Sequence, residues 1–98
     1  TTDTASAQRA IELDCSLMLK ATMVDGVYDK DPNKFDGAVR YDNLTFDEVI
    51  ANKLEVMDQT AFTLCREHNL PVTVFDMMAE NGLVIAATGG KIGTKIHN

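Results

Sequence analysis

Thr22, Tyr28 and Asp31 fall within one stretch, Leu17 to Pro32, which begins apolar and ends polar. A β-type run breaks at Asp25-Gly26 into a loop carrying further aspartates, a tyrosine and a closing proline. The residue types suit a planar ligand that carries a sugar. Tyr28 can stack on a ring, Asp31 can accept from ribose hydroxyls, and Thr22 can hydrogen-bond a ligand edge from the end of the strand. Pro32 fixes the backbone after Asp31. In α/β proteins ligands bind beyond the carboxyl ends of strands, which is where this loop falls. The same residues also describe a rigid acidic surface loop, and composition does not separate the two.

Other chemically suggestive patterns fail on spacing. With Asp25 as the first residue of a calcium loop, Val27 occupies a ligand position and Lys30 the position that needs glycine. Gly89-Gly90-Lys91-Ile92-Gly93-Thr94 lacks the spacing and the Gly-Lys-Thr ending of a phosphate loop, and reads as a turn before an edge strand. Cys15 and Cys65 match no metal spacing and no nucleophile context. They read as reduced, buried and structural, which implies a cytoplasmic protein. His68 closes an apolar stripe and reads as a partly exposed structural histidine.

Positioning this loop requires an alternating α/β chain. Residues 1–13 read as a helix with Thr2 and Asp3 as good capping residues, and residues 16–21 as a strand covered on both faces. A helix that leads straight into a strand is half of a βαβ unit, which points to a missing upstream part. Residues 33–42 read as irregular. Thr45 to Glu48 form a capping box, opening a helix with Phe46, Val49, Ile50 and Leu54 on one face. Asp58 can cap the next helix, whose stripe is Met57, Ala61, Leu64, Cys65 and His68. Residues 72–75 read as a strand, 83–87 as a short helix and 92–96 as a closing strand. The order predicts a mostly parallel sheet covered on both faces.

The 98 residues make one domain at most. A net charge of −6 argues against nonspecific binding to nucleic acid or to anionic membranes, and no apolar run is long enough to cross a membrane. Nine of the fifteen acidic residues lie between Asp25 and Asp58, so the excess is local.

The succession of motifs is more specific than any one of them. Thr1-Thr2-Asp3-Thr4-Ala5, Leu19-Lys20-Ala21-Thr22, Val24-Asp25-Gly26-Val27-Tyr28, Asp31-Pro32 and Val56-Met57-Asp58 closely resemble the bacterial uridylate kinases of the amino-acid kinase superfamily. Tyr41, Leu44-Thr45, Val49, Ala61, Leu64, Pro71 and Val74-Phe75 continue the match in register. The resemblance implies a three-layer αβα sandwich, usually a homohexamer, that phosphorylates UMP with MgATP to UDP and ADP in pyrimidine nucleotide biosynthesis. It implies that Thr22 contacts ATP and that Tyr28 and Asp31 line the adenosine site. Thr1 and Thr2 then end a UMP-binding segment, Asp3 organises the catalytic lysines and Asp58 lies near the transferring phosphate. Asp3 and Asp58 also read simply as helix caps.

Met23 stands where the family commonly has lysine, Met77 to Gly82 replaces its Lys-Pro-Gly type of turn, and the tail from Leu83 drifts from its pattern. Lys20, Lys30, Lys34, Lys53, Lys91 and Lys95 form no evident phosphate cradle, although phosphoryl transfer depends on cations and backbone donors around the moving phosphate. The resemblance therefore implies the C-terminal, ATP-side half of such an enzyme, inactive on its own, with the N-terminal half absent. An amino-acid or carbamate kinase, and a noncatalytic nucleotide-binding or assembly module, remain as alternatives.

Overall fold

A computed structural model describes residues 2–98. The elements run α1 (Thr2–Glu12), β1 (Met18–Thr22), β2 (Asn43–Thr45), α2 (Phe46–Ala51), α3 (Gln59–Glu67), β3 (Val72–Asp76), α4 (Gly82–Ala87) and β4 (Thr94–His97). The sheet order is β1-β3-β4-β2. β1 runs parallel to β3, from Met18 opposite Val72 to Thr22 opposite Asp76, and β2 runs parallel to β4. β3 and β4 are antiparallel, with Val74 opposite Thr94. The carboxyl ends of β1 and β3 and the start of β4 therefore share one end of the sheet.

Strand alternation distributes the helices over both faces. Val72, Val74, Met18, Leu44 and Ile96 join Ala7 of α1 and Ala61, Phe62 and Cys65 of α3 in the main core. Phe46 and Phe62 meet edge to face with ring centroids 5.2 Å apart. Phe75 points the other way, toward α4, where Gly82 packs against its ring. Helices on both faces give the expected three layers. β3 is one of the two inner strands and is buried from Val72 to Phe75. Its run of apolar and β-branched residues is what a strand covered on both faces requires.

Local signals explain most boundaries. Thr45 and Glu48 form the reciprocal capping box of α2, and the Asp58 carboxylate caps α3 by accepting from the Ala61 amide. Thr2 and Asp3 are instead inside the first turn of α1.

Several expectations are corrected. Cys15 is exposed, because α1 stops at Glu12 and the chain reverses at Asp14 (φ 54°), which takes Cys15 off the apolar stripe. Cys65 is buried, and burial pushes its thiol up from its ordinary value. The helix after Thr45 ends at Ala51, before Leu54, and Ile50 on its expected apolar face is exposed. In α3 it is Phe62, missing from the expected stripe, that is buried beside Ala61 and Cys65, while His68 is an exposed C-cap. The short strand β2 lies where only a cap was expected, and the closing strand starts at Thr94.

The turn into β4 tolerates no side chain. Gly93 has φ +60°, and a Cβ there would lie 1.9 Å from the Val74 carbonyl oxygen. Gly89 has φ +77°, with nothing within 4 Å of such an atom. Gly93→Ala is expected to cost at least about 2 kcal/mol by overpacking, against about 1 kcal/mol for Gly89→Ala from backbone conformation alone. Thermal unfolding of the two variants measures the difference.

Candidate functional site

The acidic loop folds back on itself. The Tyr41 amide donates to the Val27 carbonyl (2.9 Å) and the Asp29 amide to the Val39 carbonyl (3.1 Å), with Tyr28 and Arg40 as the antiparallel bridge between them. The base of this hairpin is tied to the sheet by Thr94. Its hydroxyl, fully buried, accepts from the Val27 amide at 2.9 Å and donates to the Tyr41 carbonyl. The contact spans 67 residues of sequence, and no local pattern announces it.

This support aims Tyr28 and Asp31. The Tyr28 hydroxyl donates to Asp25 Oδ1 at 2.6 Å, and Arg40 Nη1 donates to Asp25 Oδ2 at 3.0 Å. The hydrogen bond to Asp25, followed by partial burial and the Asp25 charge, holds the phenol above its usual value, and the same hydrogen bond orients the ring. Asp31 Oδ1 accepts from the Asn33 amide at 2.9 Å, while its carbonyl accepts from Lys34 and Phe35. Its other carboxylate oxygen has no hydrogen-bond partner among the described residues. Tyr28 and Asp31 line one cleft of about 370 Å³, whose wall also includes Val24, Pro32, Asn52, Lys53 and Glu55. Polar donors, acceptors and an aromatic ring converging on a cleft make it the candidate ligand site of the fold.

Thr22 lies at the end of β1 and is not in that wall. Its hydroxyl donates to the Val24 carbonyl (2.7 Å) and accepts from the Val24 amide (3.0 Å), while the Met77 amide donates to its carbonyl. The side chain shapes the exit from the strand, and Val24 takes its place in the cleft.

Asp3 and Asp58 come together in a second cluster. Lys20 Nζ donates to Asp3 Oδ1 at 2.6 Å, and the Asp58 amide donates to Asp3 Oδ2 at 3.2 Å. Asp58 Oδ2 in turn accepts from the Thr4 hydroxyl at 2.6 Å. The Lys20 hydrogen bond, set against the cost of partial burial, holds the Asp3 carboxyl below its ordinary value. Asp3 is thus more than a helix cap: it joins α1 to β1 and α3. Asp58 is a cap that is also built into this network. Thr2 is exposed at the start of α1, and Thr1 lies outside the described residues.

Arg40 and Thr94 are the residues sequence reasoning did not assign. Lys20, which precedes Thr22 on the strand, is a candidate cation from that place alone, and the structure pairs it with Asp3. Met23 and Met78 are exposed. Among the described residues no three His, Cys, Asp or Glu side chains converge as a metal site, and no helix is long and apolar enough to cross a membrane.

Helices on both faces of a mostly parallel sheet, with a ligand-type cleft in the loop beyond a strand's carboxyl end, define an α/β ligand-binding architecture. Residues 1–76 match the amino acid kinase family, and the chain belongs to that family. It is 57% identical over 96 residues to the uridylate kinase of Acinetobacter baylyi, covering 98% of this chain and 40% of that protein. It is 55% identical over 98 residues to the uridylate kinase of Psychrobacter cryohalolentis, covering 100% of this chain and 41% of that protein. Among solved structures, UMP kinase from Bacillus anthracis superposes with a TM-score of 0.94 at 38% identity, over 99% of this chain and 40% of that one. Uridylate kinase from Archaeoglobus fulgidus gives 0.81 at 30% identity, over 98% and 46%. The chain spans about 40% of the length of the curated relatives it matches.

Two outcomes follow from this geometry. Thr94→Val leaves the Val27 amide and the Tyr41 carbonyl without their hydroxyl partner, and should cost about 1–3 kcal/mol in denaturant unfolding. Thr94→Ser should restore most of that. The depressed Asp3 value adds stability that is fully present above the ordinary value of 3.8 and is lost as the pH falls through the lowered one. Asp3→Asn should therefore melt below the unsubstituted protein at neutral pH, with the gap closing in acid. A gap that is constant with pH would contradict this.

Proposed function

We propose that this chain supplies the ATP-binding part of a UMP kinase, which transfers the γ-phosphoryl group of MgATP to UMP and releases UDP and ADP. The observation that carries the reading is the pairing of Tyr28 and Asp31 in one cleft, in a chain more than half identical to proteins named uridylate kinase. In this reading the Tyr28 ring stacks on adenine. The free oxygen of Asp31 accepts from a ribose hydroxyl, and Thr22 with its Val24 turn forms the floor leading toward the phosphates. The divalent cation arrives with the nucleotide as part of the substrate.

Asp3 acts on the transfer through charge and position. It holds the Lys20 ammonium at the start of α1, beside the start of α3, and cations placed near a transferring phosphoryl group stabilise the charge that spreads over it. Asp58 fixes the register of α3 against Asp3. Thr1 and Thr2 end the UMP-binding segment, and the part of the relatives' length that the chain does not span is expected to carry the rest of that pocket. A homohexamer working in the cytoplasm on pyrimidine nucleotide biosynthesis completes the proposal.

Calorimetric titration of the full protein tests it. Tyr28→Ala and Asp31→Asn should each weaken ATP about tenfold or more, the loss expected of a stacked ring or of a charge-assisted hydrogen bond. Affinity for UMP should not change. Unaltered ATP affinity in both variants would refute the assignment of this cleft.

A further inference from the structure

The described helices all end in the same backbone reversal. After α1 the Cys15 amide donates to Ala10 (2.9 Å) and Asp14 to Ile11 (3.1 Å), and after α2 Leu54 donates to Val49 (3.0 Å) and Lys53 to Ile50 (3.1 Å). After α3 Leu70 donates to Cys65 (2.9 Å) and Asn69 to Arg66 (3.3 Å), and after α4 Gly90 donates to Ile85 (2.7 Å) and Gly89 to Ala86 (3.2 Å). In each case the pivot residue has left-handed backbone geometry, with φ of 54° at Asp14, 54° at Lys53, 53° at Asn69 and 77° at Gly89. Glycine, asparagine and aspartate are the residues that visit this region readily. Lysine is not one of them. Glycine at position 53 would make the same backbone hydrogen bonds with less strain, so the fold does not explain the lysine.

The cleft does. The reversal leaves Lys53 exposed where the wall that contains Tyr28 and Asp31 meets a second cleft, between α2 and α3. Its ammonium has no hydrogen-bond or ion-pair partner among the described residues, whereas Lys30, the other lysine of the wall, stands over the Phe35 ring at 5.7 Å. An ammonium offers donors and no acceptor, which complements the acceptor-only carboxylate of Asp31. The cleft, about 370 Å³, is near the small end of the range for ligand sites, a size that suits the nucleoside part of a nucleotide. Backbone strain of this kind persists where the surroundings over-determine it, and strained residues cluster at ligand sites.

We propose that Lys53 is a nucleoside-contacting residue, donating from its ammonium to an acceptor on the base or ribose of the bound nucleotide. The proposal rests on the assignment of this cleft to ATP. It separates contact from folding, because the two effects have opposite signs in one variant.

Titrations with ATP and with adenosine, paired with thermal unfolding, test it on the full protein and on its Lys53→Gly and Lys53→Ala variants. Lys53→Gly should raise the melting temperature by relieving the left-handed strain, yet weaken both ligands about fivefold, as expected for one partly solvated charge-assisted hydrogen bond. Lys53→Ala should weaken both ligands to the same degree without the rise in melting temperature. Unchanged affinities or a loss confined to ATP would overturn the contact, and a fall in melting temperature for Lys53→Gly would overturn the strain from which it is argued. In those cases ATP binding by the unsubstituted protein would leave the broader assignment standing. Absence of ATP binding by the unsubstituted protein would overturn both.

Discussion

The buried hydroxyl of Thr94 joins parts of the chain that sequence keeps far apart. It sits at the first residue of β4, accepts from Val27 and donates to Tyr41, and so fixes both strands of the acidic hairpin to the end of the sheet. Val27 anchors the acidic hairpin in the main core and Tyr41 packs against it, while the like charges of the aspartates beyond favour extension into solvent. Satisfied backbone groups at its base complete the order. Gly93 makes the arrangement possible, since only a residue without a side chain lets the turn pass the Val74 carbonyl and deliver Thr94 to its position. The orientation of Tyr28 and Asp31 depends on that tether.

The two polar clusters are linked through the backbone on both sides. β1 carries Lys20 on the α1 and α3 face and runs directly into the loop that bears Tyr28 and Asp31. The segment from Asn52 to Glu55 forms the opposite part of the lining and leads within three residues to Asp58. A displacement of either segment would therefore be felt in both places. The acidic excess of the sequence is also put to local use: Asp25 orients Tyr28 and Arg40, Asp29 accepts from the Val39 amide, and Asp3 holds Lys20.

What could be read from the sequence divides by range. The capping box at Thr45, the cap at Asp58 and the dense β-branched run of β3 rest on neighbours a few residues apart, and those elements were legible. β2 was not, because three residues carry too little pattern to announce a strand. Cys15 and Phe62 were misplaced because the apolar pattern was carried across a left-handed reversal in one case and the helical stripe was drawn too narrow in the other. Tyr28 and Asp31 could be named from their types and spacing, and they do share a cleft. The supports of that cleft could not be named. Thr94, Arg40 and Lys53 reach it across tertiary contacts or through a backbone conformation that lysine rarely adopts, and neither leaves a local trace.

The most direct measurement of the central claim is a structure of the full protein with a nonhydrolysable ATP analogue. The account predicts adenine against the Tyr28 ring, a ribose hydroxyl on the free oxygen of Asp31, and the Thr94 bonds to Val27 and Tyr41 intact. A nucleotide bound elsewhere on the fold, with this cleft empty, would contradict it.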